Sequence, residues 1–378
     1  MLHDPELHYL DNAATTIVAP EVADVIDKAM REHWANPSSL YAPGARSEEA
    51  LNAARAAVAR TLGCKSKELY FTSCGSEGNN LALLGAAQTR TFGKGIVVSG
   101  FEHPSVQRPL ERLAAQGYNV TVVKPQADGT LDINKMLDAV DKNTILVACM
   151  MVNNEIGTRN DVERLAAEVK RRNSRTIVHV DAVQAWMRVP IKLDNIDTMT
   201  VSGHKIHAPK GIGALYIKTG VKIKPLIRGG AQEGGMRAGT EAMPQIAAFG
   251  KAAEIAFSGM KDNCDTMASL RALAMSTICA DIPEAQIIGG GAPHILSVSL
   301  PGWRSEVLMN FLEAEGIYVS RSSACKKGGR SHVLEAMRLP AQVIDGAIRV
   351  SFSRYNTEDD VLALCSALKR AHDTLAHR

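Results

Sequence analysis

Two side chains in this sequence, Lys205 and Asp181, have the types and settings that covalent cofactor chemistry needs. Lys205 lies in Asp197-Thr-Met-Thr-Val-Ser-Gly-His-Lys205-Ile-His-Ala-Pro-Lys-Gly-Ile-Gly213-Ala-Leu-Tyr-Ile. The β-prone run Thr198 to Val201 predicts a strand, Gly203 a turn, and Gly211 and Gly213 lead into a second strand. Upstream, Ile177-Val-His-Val-Asp181-Ala-Val-Gln184-Ala reads as a buried strand that ends in a carboxylate. A lysine amine condenses with an aldehyde, and a carboxylate holds a pyridinium nitrogen; pyridoxal 5'-phosphate chemistry requires both. Taken alone, Ser202-Gly-His-Lys205 is also compatible with an ordinary surface turn. Its pairing with Asp181 favours the cofactor.

Other segments place polar groups after apolar runs. Phe71-Thr-Ser-Cys74-Gly75-Ser76-Glu77-Gly78-Asn79-Asn80 follows one strand and opens a helix over Leu81 to Ala87. Backbone N–H groups at a helix start, with small hydroxyl residues, suit a phosphate, although a plain Ser N-cap is the simpler alternative. The spacing is not that of a dinucleotide-binding turn. His103, in Phe101-Glu-His-Pro-Ser105, follows the run Gly95 to Ser99 and could stack on a ring and move protons, or merely cap a helix. Met151-Val-Asn153-Asn154-Glu155-Ile-Gly157-Thr again ends an apolar run. The loop Gly229-Gly-Ala-Gln-Glu-Gly-Gly-Met-Arg237-Ala-Gly239-Thr240 is too glycine-rich for a regular element and can approach a ligand or another chain closely. Arg349, inside the apolar run Ala347 to Phe352, needs an anion: a ligand carboxylate or a structural partner. Finally, Ser320-Arg-Ser-Ser-Ala-Cys325-Lys-Lys-Gly-Gly-Arg330 is polar and glycine-containing, and its cations favour a thiolate at Cys325.

The elements that must position these groups follow from periodicity. From about residue 17 to 250, strands alternate with helices, predicting an α/β fold with a mostly parallel sheet covered on both faces. Expected strands are 68–72, 95–99, 119–123, 145–151, 177–180 and 198–201, with helices over 48–62, 105–116 and 162–172. After Gly250 the pattern changes to a long helix over 251–279, strands at 294–300 and 347–352, and a C-terminal helix. This suggests a smaller α+β domain formed by residues 1–15 and 251–378, beside a large domain of residues 16–250. A chain of 378 residues with 46% apolar content can bury a sizeable core. The net charge of +3 without basic runs argues against nucleic-acid binding, and no apolar run reaches membrane-span length. Seven cysteines without Cys-x-x-Cys spacing predict free thiols in a reducing cytoplasm and no metal site.

These residues together resemble the cysteine desulfurases, the NifS/IscS-like branch of the class V aminotransferases (pyridoxal phosphate fold type I). The likeness is carried by Tyr9-Leu-Asp-Asn-Ala-Ala-Thr-Thr16, Asn36-Pro-Ser-Ser39, the phosphate turn, Glu102-His-Pro, Asn153-Asn-Glu-Ile-Gly, His179-Val-Asp-Ala-Val-Gln, Ser202-Gly-His-Lys, Arg237-x-Gly-Thr and Ser323-Ala-Cys. It continues through Arg349 to Asn356. The resemblance implies a homodimer with Lys205 as the cofactor lysine and proton carrier, Asp181 at the ring nitrogen, Gln184 and Asn154 at the ring oxygen, and His103 stacked on the ring. It implies Gly75, Ser76, Ser202 and His204 at the phosphate, with Thr240 reaching it from a second subunit. Arg349, Asn36 and Asn154 would hold the substrate carboxylate, and Cys325 would take sulfur from L-cysteine as a persulfide, leaving L-alanine. An acceptor protein, an Fe–S scaffold or a thiolation enzyme, would then receive the sulfur.

Two departures stand out. Cys74 replaces the glycine usual in the phosphate turn, and the loop after Cys325 is shorter than in IscS-like members. Related lyases acting on selenocysteine or cysteine sulfinate, aminotransferases of the same fold, and a silent Fe–S assembly scaffold are the competing readings.

Overall fold

The computed structural model describes residues 7–321 and 330–375. Seven strands form the main sheet, in the order Leu69–Thr72, Gly213–Ile217, Thr198–Ser202, Ile177–Asp181, Thr144–Met150, Gly95–Ser99 and Asn119–Val123. Only Gly213–Ile217 runs against its neighbours; the other six strands are mutually parallel. Four of these strands, Thr144–Met150, Ile177–Asp181, Thr198–Ser202 and Gly213–Ile217, are buried at every position, as expected for strands covered on both faces.

Successive side chains point to opposite faces, so each strand feeds two cores. Val97, Val147, Val178 and Met199 face helices Pro20–Glu32, Ala42–Leu62 and Met243–Ser258. Ile96, Leu146, Ile177 and Leu215 face helices Gly75–Ala87 and Pro104–Ala115. A third core lies between helices Met260–Asp281, Ser305–Ala314 and Glu358–Thr374 and an antiparallel four-stranded sheet. That sheet is ordered Ser320–Arg321, Ala347–Ser351, Ile295–Ser299 and Gln286–Ile288. The N-terminal segment joins this region: His8–Tyr9 pairs in parallel with Ile317–Tyr318, and Asp11 bridges to Ser351.

Local chemistry explains the helix starts. Pro20, Pro104 and Pro244 sit in the first turns of their helices, where a missing N–H costs no intrahelical bond. Asp132, Asp161 and Ser331 cap their helices through side-chain oxygens. The expected helix over 251–279 is instead two helices that break at Gly259, which closes Met243–Ser258 and opens Met260–Asp281. Glycine lowers helix propensity there, and a Cβ would meet Asn263 Nδ2 at 2.9 Å. The helix expected from Glu48 begins earlier, at Ala42, and the one expected from Leu81 begins at Gly75. No helix among the described residues is long and apolar enough to cross a membrane.

Candidate active site

Parallel strands end on one side of the sheet, and the turns that follow converge there. Thr72 leads to Cys74–Ser76, Ser99 to His103, Met150 to Asn154, Asp181 to Gln184, and Ser202 to Lys205. Together with Ala13, Ala14 and Arg349, these turns line a cavity of about 330 Å³. Of the residues expected at the site, Gly75, Ser76, His103, Asn154, Asp181, Gln184, Ser202, His204, Lys205 and Arg349 all line it. Thr240 and Asn36 are exposed and lie outside that lining, the Asn36 side chain accepting from Ser38 N at 2.9 Å. Cys325 lies outside the described residues.

Lys205 ends a single 3-10 turn directly after Thr198–Ser202. Its Nζ donates to the carbonyls of Ala13, at 2.5 Å, and Ala14, at 2.7 Å. Asp181 is 4% exposed, and no ion pair joins it to a described cation. Its Oδ2 accepts from Asn79 Nδ2 at 2.7 Å and its Oδ1 from Val183 N at 2.9 Å. A buried carboxylate without a cation is costly unless the site brings one. Behind it, Asn79 Oδ1 meets His179 Nε2 at 3.0 Å, and burial holds that imidazole down at about 3, so it stays neutral.

His103 caps a helix and also lines the cavity. Its Nδ1 accepts from Ser105 N at 3.1 Å, capping helix Pro104–Ala115, while the ring lines the cavity. Nδ1 is thereby an acceptor, which leaves the proton of the neutral ring on Nε2. Burial pushes His103 below its ordinary value; Asp181 opposes that shift, and Lys205 adds to it. His204 is driven further, to about 4, by burial and then by Lys205 and Lys210.

The phosphate turn lacks the side-chain cap that a serine would provide. Cys74 is the N-cap residue of Gly75–Ala87 and makes no capping bond. The first backbone N–H groups of that helix are therefore free for an anion at its positive end. Ser202 Oγ, buried and without a partner among the described residues, belongs to the same lining. A Cβ on Gly75 would meet Val183 Cγ2 at 2.9 Å, so only glycine leaves this wall in place. Main-chain N–H groups, two serine hydroxyls, a neutral imidazole, an unpaired buried carboxylate and a lysine amine fit pyridoxal 5'-phosphate.

Arg349 is 2% exposed. Its Nη1 donates to Asn154 O at 2.8 Å and its Nη2 to Asp11 Oδ1 at 2.7 Å. Of the two anions anticipated for this arginine, the structural partner is present as Asp11, and the side chain also lines the cavity. The described residues flanking Cys325 lie close by. Ser320 is paired with Arg349, Ser331 Oγ bonds Glu155, and His332 Nε2 meets Glu102 O at 3.0 Å. Burial raises the Glu155 carboxyl to about 7, against the opposing effects of Ser331 and Arg349.

Sequence reasoning assigned no role to Asp11, Ala13, Asn79 or Glu102. Asn79 and Glu102 sit inside the singled-out segments, so their polar type within buried turns was a usable signal. The Ala13 carbonyl carries none, since any residue supplies one. Glu102 is wholly buried; its Oε1 accepts from Met150 N at 2.7 Å and from Ser99 Oγ, tying two strand ends together. Burial raises its carboxyl from 4.5 to about 8. The unfolded chain therefore releases this proton first as pH rises. The Glu102 contribution to stability is fully present below about 4.5 and is lost as pH climbs through about 8. Glu102→Gln keeps the shape and removes the titration. Relative to the wild type, its unfolding free energy should gain about 4 kcal/mol between acid and alkaline conditions. Urea midpoints for both proteins at pH 5 and pH 9 (about these values) check this; parallel pH profiles would refute it.

Comparison with known proteins gives a consistent result. The family profile "Aminotransferase class-V" matches residues 8–364. A protein named cysteine desulfurase from Trichormus azollae is 40% identical over 360 residues, covering 93% of this chain and 90% of its own length. Cysteine desulfurase IscS from Methanosarcina thermophila is 39% identical over 361 residues, with 93% and 89% covered. The solved structure of a NifS-like protein, 36% identical, superposes with a TM-score of 0.92 over 97% of this chain and 99% of that one. With its six parallel strands, one reversed strand and lysine-bearing turn, the chain belongs to the class-V aminotransferase family and, within it, to the pyridoxal-phosphate-dependent cysteine desulfurases.

Proposed function

We propose that this chain takes sulfur from L-cysteine, releases L-alanine and holds the sulfur as a persulfide on Cys325. One observation carries the reading: Lys205, Asp181, His103 and Arg349, from four separate stretches, meet at one cavity, while Ser320, before Cys325, pairs with Arg349 and His332, after it, bonds Glu102 O next to His103. When bound, pyridoxal 5'-phosphate supplies the electron-withdrawing ring that eases bond breaking next to the amino group. Lys205 Nζ holds that group covalently and moves the proton at the substrate α-carbon. Asp181 would compensate the charge on the ring nitrogen, while Gln184 and Asn154 would donate to the ring oxygen. The His103 ring, which lines the cavity, would stack on the cofactor ring. Gly75, Ser76, Ser202 and His204 hold the phosphate, and Arg349 fixes the α-carboxylate with its planar fork.

Cys325 completes the reaction as a thiolate. It attacks the substrate sulfur; the carbon–sulfur bond breaks, a sulfur–sulfur bond forms, and the carbon takes a proton. Thiol plus cysteine gives persulfide plus alanine, with no external oxidant. The reading extends to a homodimer, in which Thr240 serves the neighbouring subunit's phosphate, and to a division into a large domain of residues 16–250 and a small one of residues 1–15 and 251–378. A sulfur-accepting protein, an Fe–S scaffold or thiolation enzyme, collects the persulfide in the cytoplasm. The six described cysteines, all unpaired, agree with a reducing compartment.

The test is a cysteine pulse followed by mass spectrometry. Wild-type protein is expected to gain one sulfur on Cys325 and to release alanine in step. Cys325→Ser should still bind cofactor and cysteine, yet gain no sulfur and make alanine at least about 100-fold more slowly. Added sulfur on Cys64, Cys74 or another thiol of that variant would overturn the assignment, and pyruvate as the product would point to a different chemistry.

A further inference from the structure

The geometry assigns His294 as a positioning residue that, opposite the Ala13 carbonyl, holds the Gln184 amide so that it presents an N–H, rather than its carbonyl, to the cofactor cavity. The assignment rests on the function proposed above, and it follows from one chain of hydrogen bonds. Gln184 Nε2 donates to Ala13 O at 2.8 Å. A main-chain carbonyl can only accept, so the end of the amide facing Ala13 must be the NH2 group. The other end, Oε1, lies 3.2 Å from His294 Nε2. That nitrogen must then carry the imidazole proton. The remaining ring nitrogen, Nδ1, is correspondingly buried and without a partner among the described residues, as a bare lone pair should be if nothing is there to donate to it.

The surroundings hold this arrangement in place. His294 is 2% exposed, and burial, followed by the charges of Arg188, Lys205 and Arg349, keeps it well below its ordinary value. It stays neutral and keeps the single tautomer. Gln184 is 5% exposed and lines the cavity, so the second hydrogen on Nε2 is the donor it can offer there. Ala13 O accepts from Lys205 Nζ as well, so the same carbonyl orients both side chains. His294 comes from a different part of the fold. It immediately precedes strand Ile295–Ser299, whose Ser297 pairs with Arg349. The donor aimed at the cofactor is thereby braced by the sheet that carries the substrate-binding arginine.

A donor directed at the ring oxygen stabilises its ionised form and lowers the pH at which it loses its proton. His294→Leu leaves the buried Gln184 Oε1 without its donor, so the amide keeps only the Ala13 contact and can shift away from the ring oxygen. The visible absorption band of the cofactor-loaded protein should then titrate at a pH higher by about half a unit or more. His294→Gln places a donor amide at similar reach and should restore the wild-type midpoint. A purely structural role would lower the melting temperature of His294→Leu and leave the midpoint alone, and that result overturns the proposal. Nitrogen-15 spectra of histidine-labelled wild-type protein give a reading that needs no variant to fold: a proton on Nε2 of His294 supports the proposal, and a proton on Nδ1 overturns it. A wild-type protein with no visible band after loading would sink the family function as well as this inference. A normal band with an unmoved midpoint in His294→Leu sinks the inference alone.

Discussion

Lys205→Ala is expected to lose the cofactor's covalent attachment and about four orders of magnitude in alanine formation. The size follows from two losses at one atom, since the proposed function makes Nζ both the attachment point and the base that moves the α-proton. The fold should survive, because the carbonyls of Ala13 and Ala14, to which the amine donates, can be satisfied by main-chain hydration once the side chain is gone. Borohydride treatment of the loaded wild type, followed by peptide mapping, should mark Lys205 and no other lysine. A reduced adduct on a different lysine would remove Lys205 from its role. Mixed dimers extend the experiment to Thr240. If Thr240 acts across the subunit boundary, a Lys205→Ala chain paired with a Thr240→Ala chain concentrates both defects in one site and leaves the other intact, near half of wild-type activity. Two damaged sites would show that Thr240 acts within its own chain.

Arg349→Lys should raise the KM for cysteine roughly 10- to 100-fold, because the charge remains and the two-pronged match to a carboxylate is lost. A change in KM with kcat held would mean that the arginine binds ground state and transition state alike. The Asp11 contact sharpens the test. Arg349→Ala strands the Asp11 carboxylate and the Asn154 carbonyl, and should cost about 3 kcal/mol of stability. The lysine variant can keep the Asp11 pair, so its melting temperature should hold while its KM rises. If KM stays constant and stability alone falls, Arg349 is an ion-pair residue and nothing more.

Much of this architecture could be read from the chain because fully buried strands are written as unbroken apolar runs. Val162–Arg172 appears at the bounds its periodicity predicts, since Asp161 caps it and three basic residues close it. Boundaries failed where the signal was weak. Ala42–Leu62 is rich in alanine and glycine at its start, so the polar pattern only becomes evident at Glu48. The break at Gly259 was hidden because a single glycine with no proline after it is an ambiguous stop between two helix-forming stretches. At the site, residues that touch the cavity through charged or hydroxyl groups announced themselves. What the linear order could not reveal is pairing. Nothing local to Arg349 points to Asp11, and nothing near Gln184 points to His294.

The Asp11–Arg349 contact also bears on how the protein is made. These two residues are 338 positions apart, and Arg349 lines the cavity that also holds Lys205, Ala13 and Ala14. During synthesis from the N-terminus, Asp11, Ala13 and Ala14 leave the ribosome first and must wait for Arg349 before their side of the cavity is closed. A nascent chain halted after the main sheet would carry Lys205 and Asp181 but not that wall. Cofactor capture is therefore a late event, after the final strand is in place, and the bound group then acts as a latch on the finished fold, stabilising it by mass action. A cell short of this cofactor would accumulate full-length chains that lack this added stabilisation, although His8–Tyr9 still pairs with Ile317–Tyr318 and Asp11 with Arg349.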